Sequence, residues 1–212
     1  MFGRVRTGVV PVSALFAALA LCLWLAGCSG GSGGAGADGG CRGGKPFSTV
    51  SPAYKGAGPH RMIGFQLGSH DSQKWDAPDA PELPGTWAAD RSTTPQVFAV
   101  APGEDDYRRA QLAVCMSGPT VTGRKVHTCS YSVSSLDEVG TAYDMVSAYY
   151  DFTVFEARTG RLVKSFRIHG GEGNWDCPSA IRSGARGVAQ TFGDDALESR
   201  LRGLVEGPAV SR

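Results

Sequence analysis

The stretch Leu25-Ala26-Gly27-Cys28 closes an apolar leader and opens a run of glycine and serine. It constrains the chain more than any other feature, because it decides the redox compartment in which the later cysteines exist. Arg4 and Arg6 form a short cationic start, and residues 8–27 carry no charge. About 20 apolar residues are enough to span a bilayer. Three details fit a secretory signal peptide better. Pro11 interrupts the run early, Ala26 and Gly27 offer small side chains at its end, and Ser29-Gly30-Gly31-Ser32 follows with no Lys/Arg stop-transfer cluster.

Leu25-Ala26-Gly27-Cys28 resembles the lipobox of bacterial lipoproteins. The resemblance implies cleavage before Cys28 and a diacylglyceryl group on its thiol, with palmitate-type acyl chains. It also implies a membrane partner reached through that lipid, on the extracytoplasmic face of the cell membrane. Each buried CH₂ of such a chain contributes about 0.8 kcal/mol, so two chains hold a protein firmly. The competing readings are an uncleaved signal anchor and a conventional signal peptide in which Cys28 is incidental.

Six cysteines are present. Cys22 leaves with the leader and Cys28 takes the lipid, so Cys41, Cys115, Cys129 and Cys177 remain. An even number outside the cytoplasm predicts two disulfides, and four cysteines allow three pairings. Cys115 and Cys129 lie on two strand-like runs around a turn, which favours Cys115–Cys129 and leaves Cys41–Cys177. A zinc site would be expected to show close pairs such as C-x2-C, and none occurs, so no metal is expected.

Without the leader's two arginines the chain has 19 basic against 20 acidic residues. That balance argues against nucleic acid as a partner, since phosphate binding needs a basic surface. Length favours a single domain. The expected organisation is a signal peptide over 1–27, a lipidated Cys28 with a Gly/Ser-rich flexible tether to 46, one β-rich domain over 47–206, and a tail over 207–212.

Within the domain, Ile63, Phe65 and Leu67 alternate with Gly64 and Gln66, which predicts a half-buried strand. Residues 68–95 form a long Pro-broken loop that carries Trp75 and Trp87. These tryptophans are either core-edge covers or the wall of a ligand site. Residues 96–101 predict a second strand, and residues 103–106 a polar turn. Residues 111–116 and 125–131 predict a strand pair joined through Gly118-Pro119 and Gly123. Residues 146–155 and 162–168 form the clearest hairpin, with Gly160 supplying the turn's positive φ. The first arm has aromatics on both faces, which suggests an interior strand. Asp195 to Val205 predicts a helix. Asp195 and Glu198 make a capping-box-like start, and Leu197, Leu201, Leu204 and Val205 form one stripe.

Catalytic motifs are absent. His60, His70, His127 and His169 are isolated in sequence, with no H-E-x-x-H, Walker loop or C-x-x-C. Two G-x-S-x-G matches, at 27–31 and 30–34, lie at the leader junction and lack the strand-to-helix context of a nucleophile elbow. Gly170-Gly171-Glu172-Gly173 lacks the context of a phosphate cradle. No cofactor is expected.

Several pieces occur together in a recognisable order: residues 52–60, Gln111-Leu112-Ala113-Val114-Cys115, Cys129-Ser130-Tyr131, Phe155-Glu156-Ala157-Arg158-Thr159-Gly160, Cys177-Pro178 and the Leu-rich helix. This order resembles an extracytoplasmic domain of secreted and membrane-anchored proteins of actinobacteria such as streptomycetes. The resemblance implies a β-rich, two-disulfide fold and no particular reaction. The expectation is a mainly β domain, an antiparallel β-sandwich or curled sheet with one C-terminal α-helix. Functionally it is expected to be a non-catalytic binding or interaction module at the cell envelope, with an envelope protein or small ligand as partner. The alternatives are an envelope hydrolase using one of its histidines and a small-solute-binding lipoprotein.

Overall fold

Two unusually long neighbouring strands organise the domain. The computed structural model describes residues 40–67, 75–77, 82–89, 96–97, 104–131, 140–174 and 176–210. Cys28, the expected leader, residues 29–39 of the expected tether and His70 lie outside these. The elements in chain order are β1 (Met62–Leu67), β2 (Glu82–Leu83), β3 (Gln96–Val97), α1 (Glu104–Arg109), β4 (Leu112–Tyr131), β5 (Thr141–Glu156), β6 (Leu162–His169), β7 (Val188–Ala189) and α2 (Asp194–Val205). The fold is mainly β with one C-terminal helix, as the patterning predicts. The sheet is mixed and not purely antiparallel. Its order is β1-β4-β5-β6, with β1 parallel to β4, and β7 parallel to β5.

Residues 111–116 and 125–131 were expected to be two paired strands. They are one strand, β4, and its antiparallel partner is β5 from Leu112↔Glu156 to Tyr131↔Thr141. The turn-like residues between them bend the strand without reversing it. Register shifts fall between Ser117 and Thr120, around Gly118-Pro119, and between Val121 and Lys125, around Gly123. Proline and glycine inside a strand characteristically sit at bulges.

This single strand overturns the expected Cys115–Cys129 and Cys41–Cys177 bridges. Fourteen residues along an extended strand span about 45 Å, far beyond disulfide reach. The bridges are Cys41–Cys115 and Cys129–Cys177, each with Cα atoms 5.7 Å apart.

Both faces of the first half of β4 are buried. On one side Met62, Leu112, Val114, Met116, Tyr150, Phe152 and Val154 meet the α2 stripe of Leu197, Leu201, Leu204 and Val205. Phe152 stacks on Phe166 at 5.1 Å and lies edge-on to Phe192 at 5.5 Å. On the other side Ile63, Phe65, Ala113, Cys115 and Phe155 meet Phe47, Cys41 and Ala157. Thus β1 is not half-buried as its alternation suggested: the segment around Phe47 covers the expected Ile63/Phe65 face, and the α2-side core also covers the opposite face at Met62. Phe47 stacks on Phe65 at 5.2 Å and tilts against Phe155 at 5.9 Å.

Two local expectations change. Residues 104–109 form α1 and not a polar turn. Acids occupy its first turn and arginines its last, which complements the helix dipole, and Arg108 pairs with Glu104 at i,i+4. The start of α2 has Gly193 as N-cap with no side-chain cap, so the Asp195–Glu198 capping box does not form. Asp195 instead accepts the Ala196 N–H at 2.9 Å. The β5–β6 hairpin closes as expected, with Gly160 at φ 71°.

Candidate functional site

The turn between β5 and β6 gathers charged side chains around the point where the N-terminal segment enters the fold. Phe47 and Ser48 donate their N–H groups to the Ala157 carbonyl at 2.9 and 3.2 Å. Gly160 lies so close to the Lys45 backbone that a Cβ there would clash with the Lys45 carbonyl. Cys41 is bridged to Cys115, and Gly43 sits over the Phe155 ring. The last residues of the expected tether are therefore part of the domain, packed on this turn.

Beside this junction lies an open cleft of about 510 Å³, lined by Tyr54, Lys55, Arg161, Pro208 and Val210 among others. Tyr54 forms its inner wall. Its hydroxyl donates to the Leu204 carbonyl at 3.3 Å, and its ring meets His60 edge-on at 4.6 Å. Burial pushes the Tyr54 hydroxyl above its ordinary range. Arg161 holds Glu156 at 2.6 Å, and Thr159 donates to the same carboxylate at 2.5 Å. Burial alone would raise the Glu156 pKa, but the hydrogen bonds from Arg161 and Thr159 outweigh it and hold the group below its usual value.

The histidines do not converge. His60 is fully buried. Its Nδ1 lies 2.9 Å from Gln111 Oε1, and the Gln111 amide donates Nε2 to the Ala53 carbonyl at 3.0 Å. That orientation makes His60 Nδ1 the donor and leaves Nε2 without a partner. His127 and His169 are exposed on β4 and β6. Among the described residues, no histidine ring hydrogen-bonds a serine hydroxyl or a carboxylate. His169 meets Tyr149 at 6.2 Å, and the Arg167 guanidinium covers the Tyr149 ring at 3.7 Å while pairing with Asp151.

Trp75 and Trp87 both pack against the α2-side core. Trp87 is 4% exposed, and Trp75 is half-buried against Gly187. Neither lines the cleft above or a second one of about 320 Å³, formed by Asp76, Pro178, Ile181, Arg182 and their neighbours. In that second cleft Asp76 accepts the Arg182 backbone N–H at 3.2 Å.

Sequence reasoning overlooked the Tyr54–Lys55–Arg161 cleft. Residues 156–161 carry a signal that was available: a glutamate ending an apolar strand, then two arginines within a tight turn. No protein-family model, no curated protein and no solved structure matches the chain.

Proposed function

We propose that the chain is a lipid-anchored lipoprotein of the cell envelope. Its folded domain would be held on the extracytoplasmic face as a non-catalytic binding or interaction module. The observation that carries this reading is a conjunction. The leader ends at Cys28, and all four later cysteines are joined in two bridges. Disulfides persist in oxidising compartments outside the cytoplasm, where such a leader would deliver the chain.

The far half of β4 supports the interaction role. From Thr120 to Tyr131 this strand pairs with β5 on one side, and among the described residues no strand pairs its outer edge. Thr122, Arg124, Lys125, His127, Thr128 and Ser130 are exposed there. Exposed edges of this kind are open to a partner's backbone.

Metabolic labelling with palmitate tests the anchor. The wild-type chain incorporates label and Cys28→Ala does not, accumulating instead as the unprocessed precursor. Label entering the Cys28→Ala chain to the wild-type level sinks the lipoprotein reading. Crosslinking in the native envelope then tests the module, with a specific adduct through residues 122–130 expected.

A further inference from the structure

The end of the domain where the N-terminal segment enters carries a group of exposed cations. Arg42, Lys45, Lys55 and Arg158 are all exposed there. Among the described residues none of these four forms an ion pair. The nearby acids are engaged, Glu156 by Arg161 and Glu206 by Arg202. The contacts that place these cations together are those of Lys45 with Gly160 and the cleft shared by Lys55 and Arg161.

The same end holds the exposed large apolar side chains. Among the described residues these are Val50, Leu162 and Val210, at 41%, 55% and 43% exposure. Leu162 follows Arg161 at the start of β6, Val210 lines the cleft with Lys55 and Arg161, and Val50 lies on the loop that crosses the hairpin turn. Unpaired cations beside exposed apolar side chains make a surface that suits lipid headgroups over an acyl boundary.

We infer that this end docks onto an anionic phospholipid surface, with Arg42, Lys45, Lys55 and Arg158 facing lipid phosphates and Leu162 and Val210 entering the interface. The inference rests on the lipoprotein reading above and adds an orientation to it. Twelve residues from Cys28 to Gly40 reach at most about 40–43 Å, which sets an upper limit on the distance between the lipid and this end. The acyl chains supply the anchoring. The cations supply the orientation, each contributing about fivefold in affinity near an anionic surface. The Cys129–Cys177 end of the long strands would then face away from the membrane.

Lysine labelling of the intact lipidated protein tests this. The protein is reconstituted into vesicles of phosphatidylcholine alone, or of phosphatidylcholine with phosphatidylglycerol, and treated with an amine-reactive reagent. Lys45 and Lys55 are expected to label about fivefold less on the anionic vesicles, with recovery in high salt. Lys125, near the far end, is expected to label equally on both. The double variant Arg42→Glu/Arg158→Glu keeps both reporter lysines. With an unchanged thermal midpoint, it is expected to lose the protection. Equal labelling of Lys45 and Lys55 on the two vesicles overturns the inference, and so does equal protection of Lys125. Protection seen in native envelopes but not on pure-lipid vesicles also overturns it, in favour of a protein partner. A wild-type chain that fails to float with either vesicle refutes the lipid anchor itself, a separate result that removes this inference as well.

Discussion

The two ends of the β4–β5 pair are made of the same strands and held by different physics. At the end near Cys41, both sheet faces are covered, by α2 on one side and by the Phe47 segment on the other. At the end near Cys129, a small group of Cys129, Met145 and Val188 is joined by half-buried Val126, Tyr131, Tyr143, Cys177 and Ile181. Each end has one disulfide. In the chain-entropy picture these bridges, spanning 74 and 48 residues, are worth nearly the same, about 4 kcal/mol each. The difference between the ends therefore lies in what surrounds each bridge. At the first end the bridge adds to a packed core. At the second it supplies much of what keeps a narrow strand pair against the 176–189 segment.

Cutting the bridges separately tests whether the two ends differ in this way, and it has the largest expected effect. Cys129→Ser/Cys177→Ser is expected to remove amide-exchange protection from residues 126–131 and 141–146 while Leu112–Met116 stays protected. Cys41→Ser/Cys115→Ser is expected to lower the global unfolding free energy by about 2–5 kcal/mol without local melting at the far end. Exchange that rises uniformly through β4 in either variant would show that the two ends form one cooperative unit.

Core truncation gives a similar contrast through packing alone. Phe152 is fully buried, between Phe166 and Phe192, and Phe152→Ala is expected to cost about 3–5 kcal/mol in global stability. Met145 at the far end is 2% exposed but belongs, among the described residues, to a group of three buried side chains. Met145→Ala is expected to cost less, about 2 kcal/mol, and to show mainly as local exchange near Val188. Equal effects of the two in urea denaturation would remove the distinction.

The contrast also separates what was legible in the sequence from what was not. The β5–β6 hairpin and the α2 stripe are local patterns, set by Gly160 and by the spacing of Leu197, Leu201, Leu204 and Val205, and both read correctly. The continuity of β4 did not. Gly118-Pro119 and Gly123 carry the local chemistry of turns, and only a long partner strand on β5 makes them bulges. The cysteine pairing is hidden for the same reason, because the Gly118-Pro119 and Gly123 turn signals between Cys115 and Cys129 do not reverse the chain. The cleft was hidden because the Tyr54-Lys55 pair, Arg161 and Val210 are far apart in sequence and meet only through the packing of 40–56 on the β5–β6 turn. The charge pattern of α1 was visible in Glu104, Asp105, Asp106, Arg108 and Arg109, but it is too short to show an apolar period.

Glu156 gives a smaller effect, confined to the first end. Its pKa is lowered in the folded state by Arg161 and Thr159 against the opposing effect of burial. A carboxyl with a depressed folded value stabilises the fold above its unfolded pKa, and that contribution is lost as pH falls through the folded value. The denaturation midpoint is therefore expected to drop on acidification below the ordinary glutamate range. Glu156→Gln is expected to cost about 1–2 kcal/mol at neutral pH and to flatten that acid limb. An acid limb as steep in the variant as in the wild type would place the titration elsewhere.

The smallest effect belongs to the far end's surface. Lys125 and Asp144 face each other across β4 and β5 at 2.6 Å, and each side chain is 55% exposed. Solvent screens such a pair, and holding a long lysine side chain in one rotamer offsets part of the attraction, so exposed pairs contribute about 0.2–1 kcal/mol. Lys125 also sits between two register shifts, where the ladder is least regular. Lys125→Ala is thus expected to change the unfolding free energy by no more than about 0.5 kcal/mol. A double-mutant cycle with Asp144→Ala measures the coupling directly. A coupling above about 1 kcal/mol would mean that the ion pair pins the bulged register, and the far end would then owe its order to electrostatics as well as to the Cys129–Cys177 bridge.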